Sequence, residues 1–337
     1  MNVVKKRQIY ILIVLSFSFI LTACGQSNLS NNGVTGNKVE TLGVQNGAVL
    51  VEEKGEYKNL NLSDGKYNLI ETNRAAVLEF NKESGNYVFI RDGKHYVKSG
   101  NKEEEIKDNN YSSMKLSNKG SYLSYMIYED GYSLKIIALK DNKEVKINSK
   151  VAISGDLYGW IDDETLVYYG ISDDGVNGIF TYNLNDGKED LLYKLDGGYA
   201  EYLKGYNGNV IILQQTADEK TSLKVINKED KKATEISDKF KDVKDVVKLN
   251  DDYYVIGTAI GDSPSVYKIK NKSYERLVYS FPSKINMDKG LSIGDNGDLL
   301  FIGTNGTSKE ENVFSFKDGT VSLVSTNPGE YNFISIN

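Results

Sequence analysis

Six stretches of this sequence can be laid over one another: "AAVLEFNKESGNYVFIRDG" from Ala75, "YSSMKLSNKGSYLSYMI" from Tyr111, "VAISGDLYGWIDDETLVYY" from Val151, "YAEYLKGYNGNVIILQQ" from Tyr199, "VKDVVKLNDDYYVIGTA" from Val243 and "KINMDKGLSIGDNGDLLFIGT" from Lys284. Each is an apolar run, a turn of Asn, Asp or Gly, and a second run rich in aromatic and β-branched residues, which is the composition of paired strands. A third run follows, such as "SLKVINK" or "NVFSFKDG", then a polar turn and a short fourth, such as "ATEIS" or "VSLVS". With Tyr331 as a further start, the units begin at 75, 111, 151, 199, 243, 284 and 331, at intervals of 36, 40, 48, 44, 41 and 47 residues. A four-stranded sheet cannot bury both its faces alone, but sheets packed around an axis cover one another. The period therefore predicts an all-β chain forming a seven-bladed β-propeller of four-stranded antiparallel blades.

The last start holds only "YNFISIN", one strand's worth of residues. Near the other end "NGAVLVEE", "YKNLNL" and "KYNLIE", from Asn46 to Glu71, read as three strands with no first strand before them. Joining the C-terminal strand 331–337 to these three completes the seventh blade and removes the free edge that invites aggregation in all-β proteins. The pairs Asp64-Gly65, Asp92-Gly93, Asp130-Gly131, Asp186-Gly187 and Asp318-Gly319 lie between strand-like runs, where Asp-Gly accepts the positive φ angles of tight hairpins. The best candidate for a helix is "DKFKDVKDVVKL" from Asp238, which is short and soon gives way to the strand-like "YYVIGTAI".

Ahead of the repeats, Lys5, Lys6 and Arg7 precede an apolar run from Ile9 to Leu21, the charged and hydrophobic regions of an export signal. The run is shorter than the roughly 20 residues a spanning helix needs. Leu21, Thr22, Ala23 and Cys24 resemble the lipobox of bacterial lipoproteins. The resemblance implies cleavage after residue 23 and a lipid on Cys24, anchoring the chain to the cell membrane on its extracytoplasmic face. Since Cys24 is the sole cysteine, none remains for a disulfide, a thiolate nucleophile or a metal cage. The domains expected are thus 1–23 signal peptide, 24–43 lipidated cysteine and polar tether, and 44–337 β-propeller.

Removing Lys5, Lys6 and Arg7 with the signal leaves 38 of the 41 basic residues against 47 acidic ones. Such a balance repels nucleic acid and anionic headgroups. The elements "LSNKGSYLSY" from Leu116 and "IGDNGDLLFI" from Ile293 resemble the repeats of TolB-type and dipeptidyl-peptidase-type propellers, a likeness that marks a blade rather than an activity.

His95 is the only histidine, which excludes a centre of several imidazoles and leaves a histidine-based triad this one residue to use; it reads as an exposed strand residue after a hairpin turn. No G-x-S-x-G elbow and no glycine-rich phosphate loop with its lysine occur. No catalytic residue, metal or cofactor is therefore assigned. Acidic clusters at Glu103–Glu105, Asp162–Glu164, Asp173–Asp174 and Asp251–Asp252 read as solvated turns. The alternative function, a carboxylate-dependent glycan-processing enzyme, would need two of them to converge. The remaining candidates for ligand binding are Trp160, Tyr168, Tyr169, Tyr253 and Tyr254, since Tyr and Trp supply large contact areas at interfaces. The function expected is that of a monomeric binding or scaffold module for an envelope protein or glycan, held at the membrane through the lipid on Cys24.

Overall fold

The computed structural model describes residues 42–129, 131–307 and 309–337. The signal, Cys24 and the tether up to residue 41 lie outside the described residues, as does Asp130 of one Asp-Gly pair.

Seven sheets form, each with four strands in antiparallel order as its basic unit. Blade 1 joins Glu330–Phe333 to Val49–Glu53, Glu56–Ser63 and Lys66–Ile70; blades 2 to 7 follow along the chain, with innermost strands beginning at Ala76, Tyr111, Val151, Tyr199, Phe240 and Lys284. The second strand of a blade is covered on both faces by neighbouring blades, which is why these strands read as continuous apolar runs. In Tyr122–Tyr128, Asn209–Gln215 and Leu299–Thr304 five consecutive residues are buried. The outermost strands face solvent along one edge and carry charge instead, as in Lys102–Glu105 and Lys143–Glu144; charge on an edge discourages pairing with other chains.

The ring closes as the repeat predicts, with one difference in detail. Val49 pairs with Phe333, Leu50 with Asn332 and Val51 with Tyr331. The expected single strand 331–337 is in fact two. After Phe333 the chain turns at Ile334, whose N–H donates to Ala48 O at 3.0 Å, and Ser335–Ile336 runs parallel to the innermost strand of blade 2, pairing with Glu79 and Phe80. The physical reason is the length of the partner. Val49–Glu53 offers a ladder of only five residues, whereas the inner edge of Ala76–Phe80 is open. Ile334, 2% exposed, fills the seam between the two blades.

The segment from Asp238 gives the first strand that the repeat from Val243 places there: Phe240–Leu249 is the innermost strand of blade 6. Its buried residues Phe240, Val243 and Val246 are spaced by three because the register shifts between Phe240 and Asp242 and again between Val243 and Asp245. Each bulge adds one residue and stretches the strand period of two towards the helical one. In blade 7 the first strand is broken into Lys284–Ile285 and Leu291–Ile293 around a single 3-10 turn, Met287–Lys289, and both pieces pair with Leu299–Thr304.

Among the Asp-Gly pairs, Asp64-Gly65, Asp92-Gly93 and Asp318-Gly319 have both residues at positive φ, as a type I′ hairpin requires. At Asp186-Gly187 only the glycine does. That turn is longer, closed by Gly187 N donating to Asn183 O at 3.0 Å, and Asn183 Oδ1 accepts from the amides of Asn185 and Asp186.

Strands in a blade alternate in direction. Turns from first to second and from third to fourth strands therefore share one face of the ring, and second-to-third loops and blade-to-blade connectors share the other. Residues 42–48 precede a second strand and so lie on the first of these faces. Leu42 packs against the seam of blades 1 and 2, and Gly43 O accepts from Asn61 Nδ2 at 2.6 Å.

Candidate functional site

The innermost strands of all seven blades enclose a central cavity of about 750 Å³, touched by Phe333, Glu79, Lys115, Tyr158, Lys204, Asp245 and Leu291, one from each blade. Ser335–Ile336 adds an eighth strand to the wall. The charges on the wall are unequally matched. Lys204 Nζ donates to Asp245 Oδ1 at 2.7 Å; the same carboxylate accepts from Tyr202 OH at 3.2 Å and from the Leu291 amide at 3.0 Å. Lys289 Nζ reaches Asn332 Oδ1 at 2.8 Å and Glu330 at 3.3 Å.

Glu79 and Lys115 differ from these. Glu79 accepts from the Leu116 amide at 2.6 Å, and burial pushes its carboxyl up to about 7, with the Leu116 N–H and the Lys115 charge opposing the rise. Lys115 donates to Tyr158 O and lies 4.4 Å from the centre of the Tyr158 ring. Burial brings its amine down to about 8; Glu79 and Asp156 resist that shift and Lys204 adds to it. Both groups are open to the cavity yet deep within the ring, so desolvation disfavours their charged forms.

A second concavity, of about 810 Å³, opens between blades 6 and 7 on the face of the connectors. It forms where the repeat is interrupted. The connector after Ser273–Arg276 carries Tyr279, 73% exposed, and Phe281, 40% exposed. Arg276 donates to Asp262 Oδ1 at 2.6 Å and lies 5.5 Å from the centre of the Tyr279 ring. Phe281 is held edge-on against Phe314 at 5.3 Å. Behind them, Glu311 accepts from Asn286 Nδ2 at 2.5 Å and from the Tyr331 amide at 3.1 Å. Lys284 and Lys309 also border this groove, both exposed.

The aromatic residues singled out from the sequence are not brought together. Trp160, 5% exposed, stacks on Tyr122 and donates from Nε1 to Ser124 Oγ at 2.9 Å; it packs with Tyr168 between blades 3 and 4. Tyr169 belongs to the seam of blades 4 and 5, Tyr253 to that of blades 5 and 6, and Tyr254 to that of blades 6 and 7. Tyr168 is fully buried and donates to Glu189, while Tyr169 and Tyr254 are 8% and 9% exposed. Of the five, only Trp160 borders the central cavity. His95 is half-buried rather than exposed. It shares a hydrogen bond of 2.9 Å with Tyr111 OH across blades 2 and 3, and burial lowers its pKa.

The acidic clusters stay apart and serve local ties. Glu103 pairs with Arg91 and Lys98, Asp162 with Lys228, and Asp252 with Lys268. Asp163 accepts from Ser117 Oγ at 2.5 Å and from the Lys119 amide at 2.9 Å, pinning the turn of blade 3 to blade 4; these bonds hold its carboxyl below the usual range against the opposing effect of burial. Among the described residues, no three His, Cys, Asp or Glu side chains gather as a metal site would need, and no helix is long and apolar enough to cross a membrane.

Sheet order, ring closure and central cavity together define a seven-bladed β-propeller. Solved structures agree with that class. The chain is similar to the β-propeller domain of the Trilobed protease from Pyrococcus furiosus, described as having an open velcro topology, with 14% identity, 85% of this chain and 98% of that one covered, and a TM-score of 0.56. It is also similar to an acylaminoacyl peptidase from Pyrococcus horikoshii (14% identity, TM-score 0.54), covering 83% of this chain but only half, 50%, of that one. An oligogalacturonate lyase in complex with manganese matches at 13% identity and a TM-score of 0.51, over 84% of this chain and 85% of that one. At such identities the shared property is the fold. No family model and no curated protein matches the chain.

Proposed function

We propose that this protein is an extracytoplasmic lipoprotein, anchored through a lipid on Cys24, whose propeller binds a protein partner of the cell envelope in the groove between blades 6 and 7. The observation that carries the reading is Tyr279, 73% exposed on the connector before Lys284 and beside Arg276 on the wall of the groove. Tyr and Arg dominate the energetics of protein interfaces, and function concentrates on loops held by a scaffold. The groove opens on the face opposite residues 42–48. Anchoring confines the groove to the layer near the membrane and raises the effective concentration of partners there.

The test is proximity crosslinking in intact cells, comparing wild type with Tyr279→Ala. The exposed ring of Tyr279 contributes little to folding, so the variant is expected to keep its abundance while its crosslinked partner falls at least about tenfold. An unchanged partner set would refute the groove. Turnover of an envelope glycan by the purified chain would instead favour the rival reading of a glycan-processing enzyme. Against that rival stands the engagement of Asp245, whose carboxylate is already taken up by Lys204, Tyr202 and the Leu291 amide.

A further inference from the structure

Charges withdrawn from water are normally matched by an opposite charge or a full set of hydrogen bonds. On the wall of the central cavity this holds for Lys204 with Asp245 and for Lys289 with Glu330 and Asn332. It fails for Lys115. Its ammonium has three donors, of which one meets Tyr158 O and the others have no partner among the described residues. No carboxylate lies in ion-pair range, although Glu79 and Asp156 act on it at longer distance, and the face of the Tyr158 ring lies 4.4 Å away. Glu79, on the neighbouring blade and bordering the same cavity, accepts a hydrogen bond from the Leu116 amide alone. A lysine with free donors and an undersatisfied carboxyl thus border one cavity with no hydrogen bond between them.

We propose that Lys115 is the anchor of a binding site for a single carboxylate in the central cavity, with the Glu79 carboxyl supplying a second hydrogen bond to the same ligand. A carboxylate has two acceptor oxygens to offer: one would accept from the Lys115 ammonium, the other from the Glu79 O–H, a short charge-assisted bond. The charge is limited to one. The groups that act on Lys115 are Glu79 from blade 2, Asp156 from blade 4 and Lys204 from blade 5, and Lys204 is already neutralised by Asp245. A phosphate dianion would bring a second negative charge towards Glu79 and Asp156, with Lys115 the one cation on the cavity wall, among the described residues, that lacks an ion-pair partner. The cavity, at about 750 Å³, has room for more than a lone carboxylate group, and thus for a free carboxylate or one carried on a larger molecule. This site is separate from the groove between blades 6 and 7, and the two can fail independently.

The test is a titration of the full chain with acetate at pH 6.5 and constant ionic strength, followed by the emission of Trp160. The indole Nε1 lies 3.3 Å from Lys115 O and reports on this part of the wall. Saturable binding is expected, weakened at least about tenfold in Lys115→Met, a loss of one ion pair's worth of affinity. Glu79→Gln keeps a donor but cannot ionise, so at pH 8 it is expected to bind acetate about three- to tenfold more tightly than wild type, where Glu79 is mostly charged. This second variant carries the test if Lys115→Met does not fold. A short peptide with a free C-terminus, set against its amidated form, identifies the source: saturation by acetate assigns a free small carboxylate, and saturation only by the free-acid peptide assigns one borne on a polypeptide. Absence of saturation by either probe, equal binding in Lys115→Met, or no gain at pH 8 in Glu79→Gln overturns the proposal.

Discussion

Replacing Glu79 by Gln removes a titrating group from the cavity wall while preserving its size and the oxygen that accepts from the Leu116 amide at 2.6 Å. Burial raises the carboxyl from its ordinary value of 4.5 to about 7 in the folded chain. A folded-state value above the unfolded one means that the folded chain holds the proton more tightly. Stability from the neutral carboxyl is therefore complete below pH 4.5 and is lost as the pH rises through 7. The interval corresponds to roughly 3 kcal/mol at 1.36 kcal/mol per pH unit. This is a ceiling, because the carboxyl borders an open cavity. The stability of wild type relative to Glu79→Gln should then fall by up to about 3 kcal/mol between pH 4.5 and 7.5. Lys115 supplies a control of opposite sign. Its amine, lowered from 10.5 to about 8, penalises folding while charged, and that penalty disappears as the pH climbs from 8 to 10.5, so wild type gains on Lys115→Met over that window. The assay is urea unfolding at a series of pH values, read from Trp160, the single tryptophan. A stability difference for Glu79→Gln that stays flat from pH 4 to 8 would refute the argument that burial governs this carboxyl.

Two further predictions concern the ring itself. Tyr331, 2% exposed, lies in the closing strand and donates to Asn327 O at 2.6 Å; Tyr331→Ala should cost about 3–5 kcal/mol in urea unfolding, whereas Tyr331→Phe should lose only about 1 kcal/mol with the hydroxyl. Gly205 lies where the innermost strands of blades 4 and 5 approach, and a Cβ there would fall 2.0 Å from Trp160 O. Gly205→Ala should destabilise by about 1–3 kcal/mol and shift the emission of Trp160, and a neutral outcome in both readouts would show that the two strands can separate freely.

Blade number and closure are legible because both rest on repeated local chemistry. A strand buried on both faces must be apolar throughout, and a terminal strand without partners must find the three that lack one. The same logic explains why the tyrosine doublets mislead as binding residues. Successive side chains on a strand point to opposite faces, so Tyr168 goes to the seam of blades 3 and 4 and Tyr169 to that of blades 4 and 5. Tyr253 and Tyr254 divide in the same way. An aromatic doublet in a middle strand is thus a sign of two packed seams. The groove is less legible because it arises where the repeat breaks, and a break leaves no pattern to match. One signal was present: two of the three prolines, Pro264 and Pro282, border it. The cavity charges are hidden for a different reason. Glu79, Lys115, Lys204 and Asp245 are far apart along the chain and come to one cavity only when the blades pack around the axis.

Closure and groove are also mechanically joined. Glu311 is 8% exposed, and its carboxylate receives both Asn286 Nδ2, from the groove, and the amide of Tyr331, from the closing strand. The backbone of Glu311 bridges Gly329 at 2.9 and 3.0 Å, just before that strand begins. One buried carboxylate therefore fixes the wall of the groove to the seal of the ring, and neither can shift without exposing a charge that has lost its donors, a costly state in a buried site. A ligand that bears on Asn286 and favours this arrangement necessarily favours the closed ring, by an amount that grows with its concentration over its Kd. The blade assembled from both ends of the chain is thus braced by the same contacts that shape its neighbour's groove.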